Sequence, residues 1–115
     1  MARLTTHVLD TTHGAPASGV AVRLYSVDDE RMLLATSRTN SDGRTDAPLL
    51  DGDELKTATY ELEFDIGDYF ANADVDVSNP PFLGTVVIRV SLRSGERYHV
   101  PLLATPWSYS TYRGS

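Results

Sequence analysis

From Thr57 to Phe64 the chain alternates strictly: Tyr60, Leu62 and Phe64 are apolar, and Thr59, Glu61 and Glu63 between them are polar. Successive side chains of a β-strand point to opposite faces, so the pattern predicts a strand with one face in a core and the other in water. The same period recurs along most of the chain. Arg3 to Leu9 sets Leu4, Thr6 and Val8 against Thr5, His7 and Leu9, and Val20 to Tyr25 turns Val20, Val22 and Leu24 inward. Met32 to Arg38, Thr85 to Leu92, Tyr98 to Leu103 and Trp107 to Tyr112 complete the strand-forming set, with room for a short strand before Pro48. Turn residues separate them: Thr11 to Pro16, Asp28-Asp29-Glu30, Thr39 to Gly43, and Asn79-Pro80-Pro81. Arg93-Ser94-Gly95-Glu96 is expected to close a hairpin between the two strands that flank it. One short helix fits, over Asp65 to Ala73, with Asp65 as its N-cap. The predicted fold class is all-β: an antiparallel sandwich of seven to eight strands with one short helix.

At 115 residues with 41% hydrophobic content, the chain has the size and apolar content for a single domain over 1–115. It has no cysteine, hence neither a disulfide framework nor a thiolate metal site. A net charge of −6 argues against nucleic acid and anionic membrane surfaces as partners. No apolar run approaches membrane-spanning length, and no apolar signal region follows Arg3, so a cytoplasmic location is expected. The charge is unevenly spread. Acidic residues dominate from Asp42 to Asp76, whereas Arg89, Arg93, Arg97 and Arg113 outweigh Glu96 beyond residue 88.

The chemistry-bearing residues are few. Histidine suits acid–base work near neutral pH, and there are three: His7, His13 and His99. On spacing alone, His7 and His99 are no different from hydrogen-bonded strand residues. His7 and His13 lack a third ligand and a shared face, so no metal is expected. Asp42-Gly43 is a turn dipeptide, and it either leaves Arg44 on the surface or aims its planar guanidinium at a substrate oxygen. No Gly-x-Ser-x-Gly elbow or glycine-rich phosphate loop occurs. Glu61 and Glu63, on the outward face of their strand, read as solvated carboxylates. The aromatic run Trp107 to Tyr112 favours an ordered segment ahead of Arg113, Gly114 and Ser115.

Three motifs together resemble a known family. Thr6-His7-Val8-Leu9-Asp10-Thr11 with Gly14 and Pro16, Asp42-Gly43-Arg44, and Tyr98-His99-Val100-Pro101-Leu102-Leu103 with the closing Tyr112-Arg113-Gly114-Ser115 are similar to the 5-hydroxyisourate hydrolases, the enzymatic branch of the transthyretin-like proteins. The resemblance implies a transthyretin-like sandwich that hydrolyses 5-hydroxyisourate in urate breakdown without metal or cofactor. It implies His7, Arg44, His99 and Ser115 as catalytic residues, and His7, Arg44, Tyr112, Arg113 and Gly114 as the substrate-binding set. It further implies a homotetramer, a dimer of dimers with sites at the dimer–dimer interface. Two stretches depart from the family pattern: Arg97, where many relatives carry histidine, and Phe82-Leu83-Gly84-Thr85. The rival reading is a carrier that binds a small aromatic ligand in the same channel without turnover, and a plain interaction sandwich would keep His7, Arg44 and His99 apart.

Overall fold

A computed structural model describes residues 1–115. Two sheets face each other across a core of 21 buried residues. One sheet contains β1 (Arg3–Asp10), β8 (Arg97–Ala104) and β9 (Tyr109–Thr111), with the two-residue strands β2 (Ala15–Pro16) and β5 (Leu50–Asp51) both paired to β1. The other runs β4 (Met32–Arg38), β3 (Ala21–Ser26), β6 (Ala58–Asp65) and β7 (Thr85–Leu92). The short helix α1 spans Ile66–Ala71. The sandwich thus has nine strands, or seven without the two-residue pieces.

The rows expected to turn inward from β3 and β6 are buried, and of the two faces of β1 it is the one carrying Leu4 that meets the core. Leu4, Thr6 and Val8 of β1, Val22 and Leu24 of β3, and Tyr60, Leu62 and Phe64 of β6 are buried. Thr6, the polar member of this set, satisfies its hydroxyl by donating to the Val100 carbonyl at 2.7 Å. Asp10 is also buried, and it accepts bonds from the Tyr69 hydroxyl at 2.7 Å and from His13, whose Nδ1 lies 2.6 Å away.

Several expectations need correction. β7 and β8 do not form a hairpin. β7 pairs with β6 and β8 pairs with β1, so the Arg93–Glu96 turn carries the chain from one sheet to the other. Each strand is paired along its whole length with a different partner, β7 with β6 and β8 with β1, and their apolar rows (Val86, Ile88 and Leu92 of β7; Val100, Leu102 and Ala104 of β8) enter the core from opposing sheets. The sandwich is not wholly antiparallel either, since β1 and β8 run parallel. The segment before Pro48 makes only an isolated bridge at Arg44, and the short strand comes later, at Leu50–Asp51.

Asp65 precedes α1 but does not cap it with its side chain. Its carboxylate instead accepts two bonds from Arg23, at 2.9 and 2.6 Å, and this pairing holds its pKa below the ordinary aspartate value despite partial burial. Glu61 and Glu63 are not solvated. Arg31 and Arg89 contact Glu61, while Arg23 and Arg31 contact Glu63, so the outer face of this sheet is an ion-pair ladder. Cross-strand register explains it, with Glu61 opposite both Arg89 and Tyr25, and Glu63 opposite Arg23.

Candidate active site

β1 and β8 lie side by side in one sheet with Arg3 opposite Arg97, Thr5 opposite His99 and His7 opposite Pro101. Because Leu4, Thr6 and Val8 fill the core, Arg3, Thr5 and His7 stand on the outer face, joined there by Arg97 and His99. Parallel pairing in this register brings the two imidazoles within 6.4 Å, centroid to centroid, with planes inclined at 41°.

Arg44 reaches this face through a turn stapled to β1. The Gly43 amide donates to the Asn40 carbonyl at 2.9 Å, and the Asn40 side-chain oxygen accepts from the amides of Asp42 and Arg44. The Val8 amide donates to the Gly43 carbonyl at 2.8 Å, and a bridge pairs His7 with Arg44. Gly43 has φ +78° and lies so close to β1 that a Cβ would sit 2.4 Å from the Val8 carbonyl oxygen and 3.2 Å from His7 Cδ2. Only glycine meets both demands. The turn also sets the tautomer of His7. Its Nε2 is 2.8 Å from the Asp42 carbonyl, which can only accept, so this nitrogen carries the hydrogen and the lone pair of neutral His7 resides on Nδ1.

The C-terminal segment supplies the other wall. β9 follows β8 through Leu102 opposite Thr111, and the ladder stops opposite Pro101, whose nitrogen has no hydrogen to give. Thr111 compensates by donating its hydroxyl to the Pro101 carbonyl at 2.7 Å. The ladder resumes in the same register at Gly114, whose amide donates to the His99 carbonyl at 2.7 Å. A Cβ on Gly114 would lie 2.7 Å from His99 Cδ2, so each imidazole has a glycine laid against it, Gly43 beside His7 and Gly114 beside His99.

His99 is held at Nδ1 by the Thr5 hydroxyl, 2.8 Å away, and no group of the chain bonds its Nε2. Burial lowers its pKa below the ordinary imidazole value, with further depression from the positive charge of Arg44 and from His7. His99 is therefore neutral near pH 7 and able to accept a proton. A cavity of about 460 Å³ opens beside it, lined by Arg3, Thr5, Arg44, Arg97, Tyr98, His99 and Ser115.

Of the residues singled out from the sequence, His7, Arg44, His99, Gly114 and Ser115 come together here. Arg113 and Tyr112 lie outside the cavity in the single chain. The Arg113 guanidinium sits 4.4 Å over the Tyr98 ring and donates to the Arg97 carbonyl at 3.2 Å, which ties the tail down. Tyr112 is 60% exposed and borders a groove between β7 and β9 instead. Thr5 was not anticipated. It shares the outward row of His7, but its contact with His99 follows only from the β1–β8 register. No group of three or more His, Cys, Asp or Glu side chains is placed to hold a metal ion. No helix is long and apolar enough to cross a membrane.

These features can be set beside known proteins. A family model described as the HIUase/Transthyretin family matches residues 4–114. A 5-hydroxyisourate hydrolase of Ralstonia nicotianae is 51% identical over 117 residues, covering 100% of both chains. A solved structure of the Klebsiella pneumoniae 5-hydroxyisourate hydrolase superimposes with a TM-score of 0.81 at 35% identity over 100% of both chains. A crystal structure of (S)-allantoin synthase gives a TM-score of 0.94 at 41% identity over 99% of this chain, which spans 44% of the length of that protein.

Proposed function

The chain belongs to the HIUase/transthyretin family, and from that premise we propose that it hydrolyses 5-hydroxyisourate to 2-oxo-4-hydroxy-4-carboxy-5-ureidoimidazoline, in urate breakdown, with no metal or cofactor. The observation that carries this reading is the meeting of His7 and His99, 6.4 Å apart, with Arg44 bridged to His7 beside the cavity. An interaction sandwich has no need of that convergence.

In the proposed reaction the substrate's acyl carbon lies by Arg44 and a water lies by His99. His99, neutral and with Nε2 unbonded, takes the water's proton as the oxygen attacks. Arg44 stabilises the oxyanion that develops, a contribution worth about 3–4 kcal/mol for one well-placed donor. The acyl C–N bond then breaks, the ring nitrogen takes the proton that His99 removed from water, and the acyl carbon, still part of the opened product, becomes a carboxyl group that ionises by releasing the water's second proton to solvent. His7, its Nε2–H committed to Asp42, orients the water through Nδ1 or relays the proton to nitrogen. Gly114 and Ser115 close one side, and Arg113 anchors the segment that carries them.

The site lies on the outer face of a sheet, so one chain leaves it open to solvent. A homotetramer assembled as a dimer of dimers, with this face at the dimer–dimer interface, would wall it and exclude water. The proposed compartment is the cytoplasm.

The test is to generate 5-hydroxyisourate with urate oxidase and follow its ultraviolet decay with and without the protein. Acceleration that His99→Ala abolishes is the expected result. A folded protein that leaves the spontaneous rate unchanged would return the carrier reading.

A further inference from the structure

Arg3 and Arg97 stand directly opposite each other on neighbouring strands, on the same outer face. Like charges in that position repel, so the arrangement costs stability unless something offsets it. Both line the cavity that Arg44 also enters, and no carboxylate side chain is among its lining residues. Elsewhere the arginines of this acidic protein are mostly matched. Arg23, Arg31, Arg89, Arg93 and Arg113 each contact a carboxylate. Arg44 and Arg97 have no such partner, and the only one for Arg3 is Asp51, at 3.9 Å.

Three guanidiniums around one cavity are more than an oxyanion requires. The proposed hydrolysis starts from a ring acyl group and ends with a carboxylate on the same carbon, created where water adds and the C–N bond breaks. On the hydrolase reading stated above, on which this step rests, we infer that Arg3 and Arg97 form a carboxylate-binding subsite beside Arg44 that receives the newly formed anion of the ring-opened ureido acid. A planar guanidinium fork matches a carboxylate with two parallel bonds, and the repulsion between Arg3 and Arg97 is relieved when an anion sits between them. The site then holds the open product more tightly than a closed, uncharged ring, and ureido carboxylates inhibit turnover by competing for it.

Hydantoin and hydantoate (N-carbamoylglycine) form a suitable probe pair, being a closed ring and its ring-opened ureido acid. Calorimetry on the full chain, wild type and Arg97→Gln, measures affinity for each, with Arg93→Gln as a control for simple loss of one positive charge. The expected result is tighter binding of hydantoate than hydantoin to the wild type. Arg97→Gln should weaken hydantoate by about tenfold with hydantoin unchanged, while Arg93→Gln does neither. Arg3→Gln should behave as Arg97→Gln does, and thermal melts identify any variant that fails to fold. Equal affinity for the two probes, or an equal loss in Arg93→Gln, overturns the subsite. Wild-type turnover of 5-hydroxyisourate is measured separately. Turnover without hydantoate preference rejects this subsite alone, whereas Arg97-dependent hydantoate binding without turnover rejects the hydrolase and with it the anion's identity as product.

Discussion

The amide of Gly114 donates to the carbonyl of His99 at 2.7 Å, and the glycine lies so close that a Cβ would approach His99 Cδ2 to the same distance. That approach cannot accommodate a methyl group unless the tail or the imidazole moves. Gly114→Ala should therefore lower kcat/KM for 5-hydroxyisourate by about tenfold or more, since small misplacements of a reacting group are costly. Its thermal midpoint should change little, because the displaced segment lies at the surface. Wild-type activity in this variant would show that the packing of Gly114 against His99 is irrelevant to the reaction.

Gly43 faces a harder constraint. Its φ of +78° acts together with the 2.4 Å that would separate an added methyl from the Val8 carbonyl oxygen, so Gly43→Ala should cost about 1–3 kcal/mol of stability. The Asp42 carbonyl that holds His7 would shift as well, so activity should fall at temperatures where the variant is still folded. Denaturant unfolding and rate measurements on the same sample separate the two effects.

The acidity of His99 gives a pH prediction. Burial, the charge of Arg44 and His7 together hold its pKa below 6.5. A base works only when neutral, so kcat/KM should rise with pH through a midpoint below 6.5 and then level off. Removing the cation in Arg44→Gln should move the His99 midpoint upward, as read by NMR titration of the imidazole. The sign for stability follows from the same depression. The unfolded chain binds the proton more readily, so the contribution of His99 is full above the unfolded pKa and is lost as pH falls through the folded one. An unshifted or lowered midpoint in Arg44→Gln would remove Arg44 as a cause.

Thr5 is a positioning residue, acting through the 2.8 Å contact of its hydroxyl with His99 Nδ1. Thr5→Val keeps the shape and removes the oxygen, and kcat should fall by about tenfold as the ring loses its fixed orientation. Thr5→Ser should restore the rate. A loss in Thr5→Ser with a near-normal rate in Thr5→Val would point to a packing role for the methyl group instead.

Much of the sandwich was legible in the sequence because strand side chains alternate with a period of two, and burial enforces that period locally. The inward rows of β3 and β6 can be read off residue by residue for this reason, and β1 divides into its two faces. The assignments that failed concern what each strand pairs with. Arg93–Glu96 has the composition of a hairpin turn, yet it bridges the two sheets, because β7 and β8 find their full-length partners in β6 and β1 rather than in each other. Asp65 has the position of an N-cap, but Arg23, far away along the chain and adjacent only through β3–β6 pairing, takes its carboxylate.

The candidate site divides in the same way. His7, Arg44, His99 and the Tyr112–Ser115 segment are legible as motifs, and alternation sets His7 on the face of β1 opposite Leu4, Thr6 and Val8. Their convergence was not readable, since it depends on the parallel register of β1 and β8, residues more than ninety positions apart. The opposition of Arg3 to Arg97 and the hold of Thr5 on His99 come from that register alone. By itself the sequence determined which residues face the core, where the chain turns and which side chains carry chemistry, because those follow from local periodicity and residue type. Only the tertiary structure decided which strands are neighbours. Strand pairing is a contest among long-range alternatives, settled by the burial of whole apolar faces rather than by any one segment.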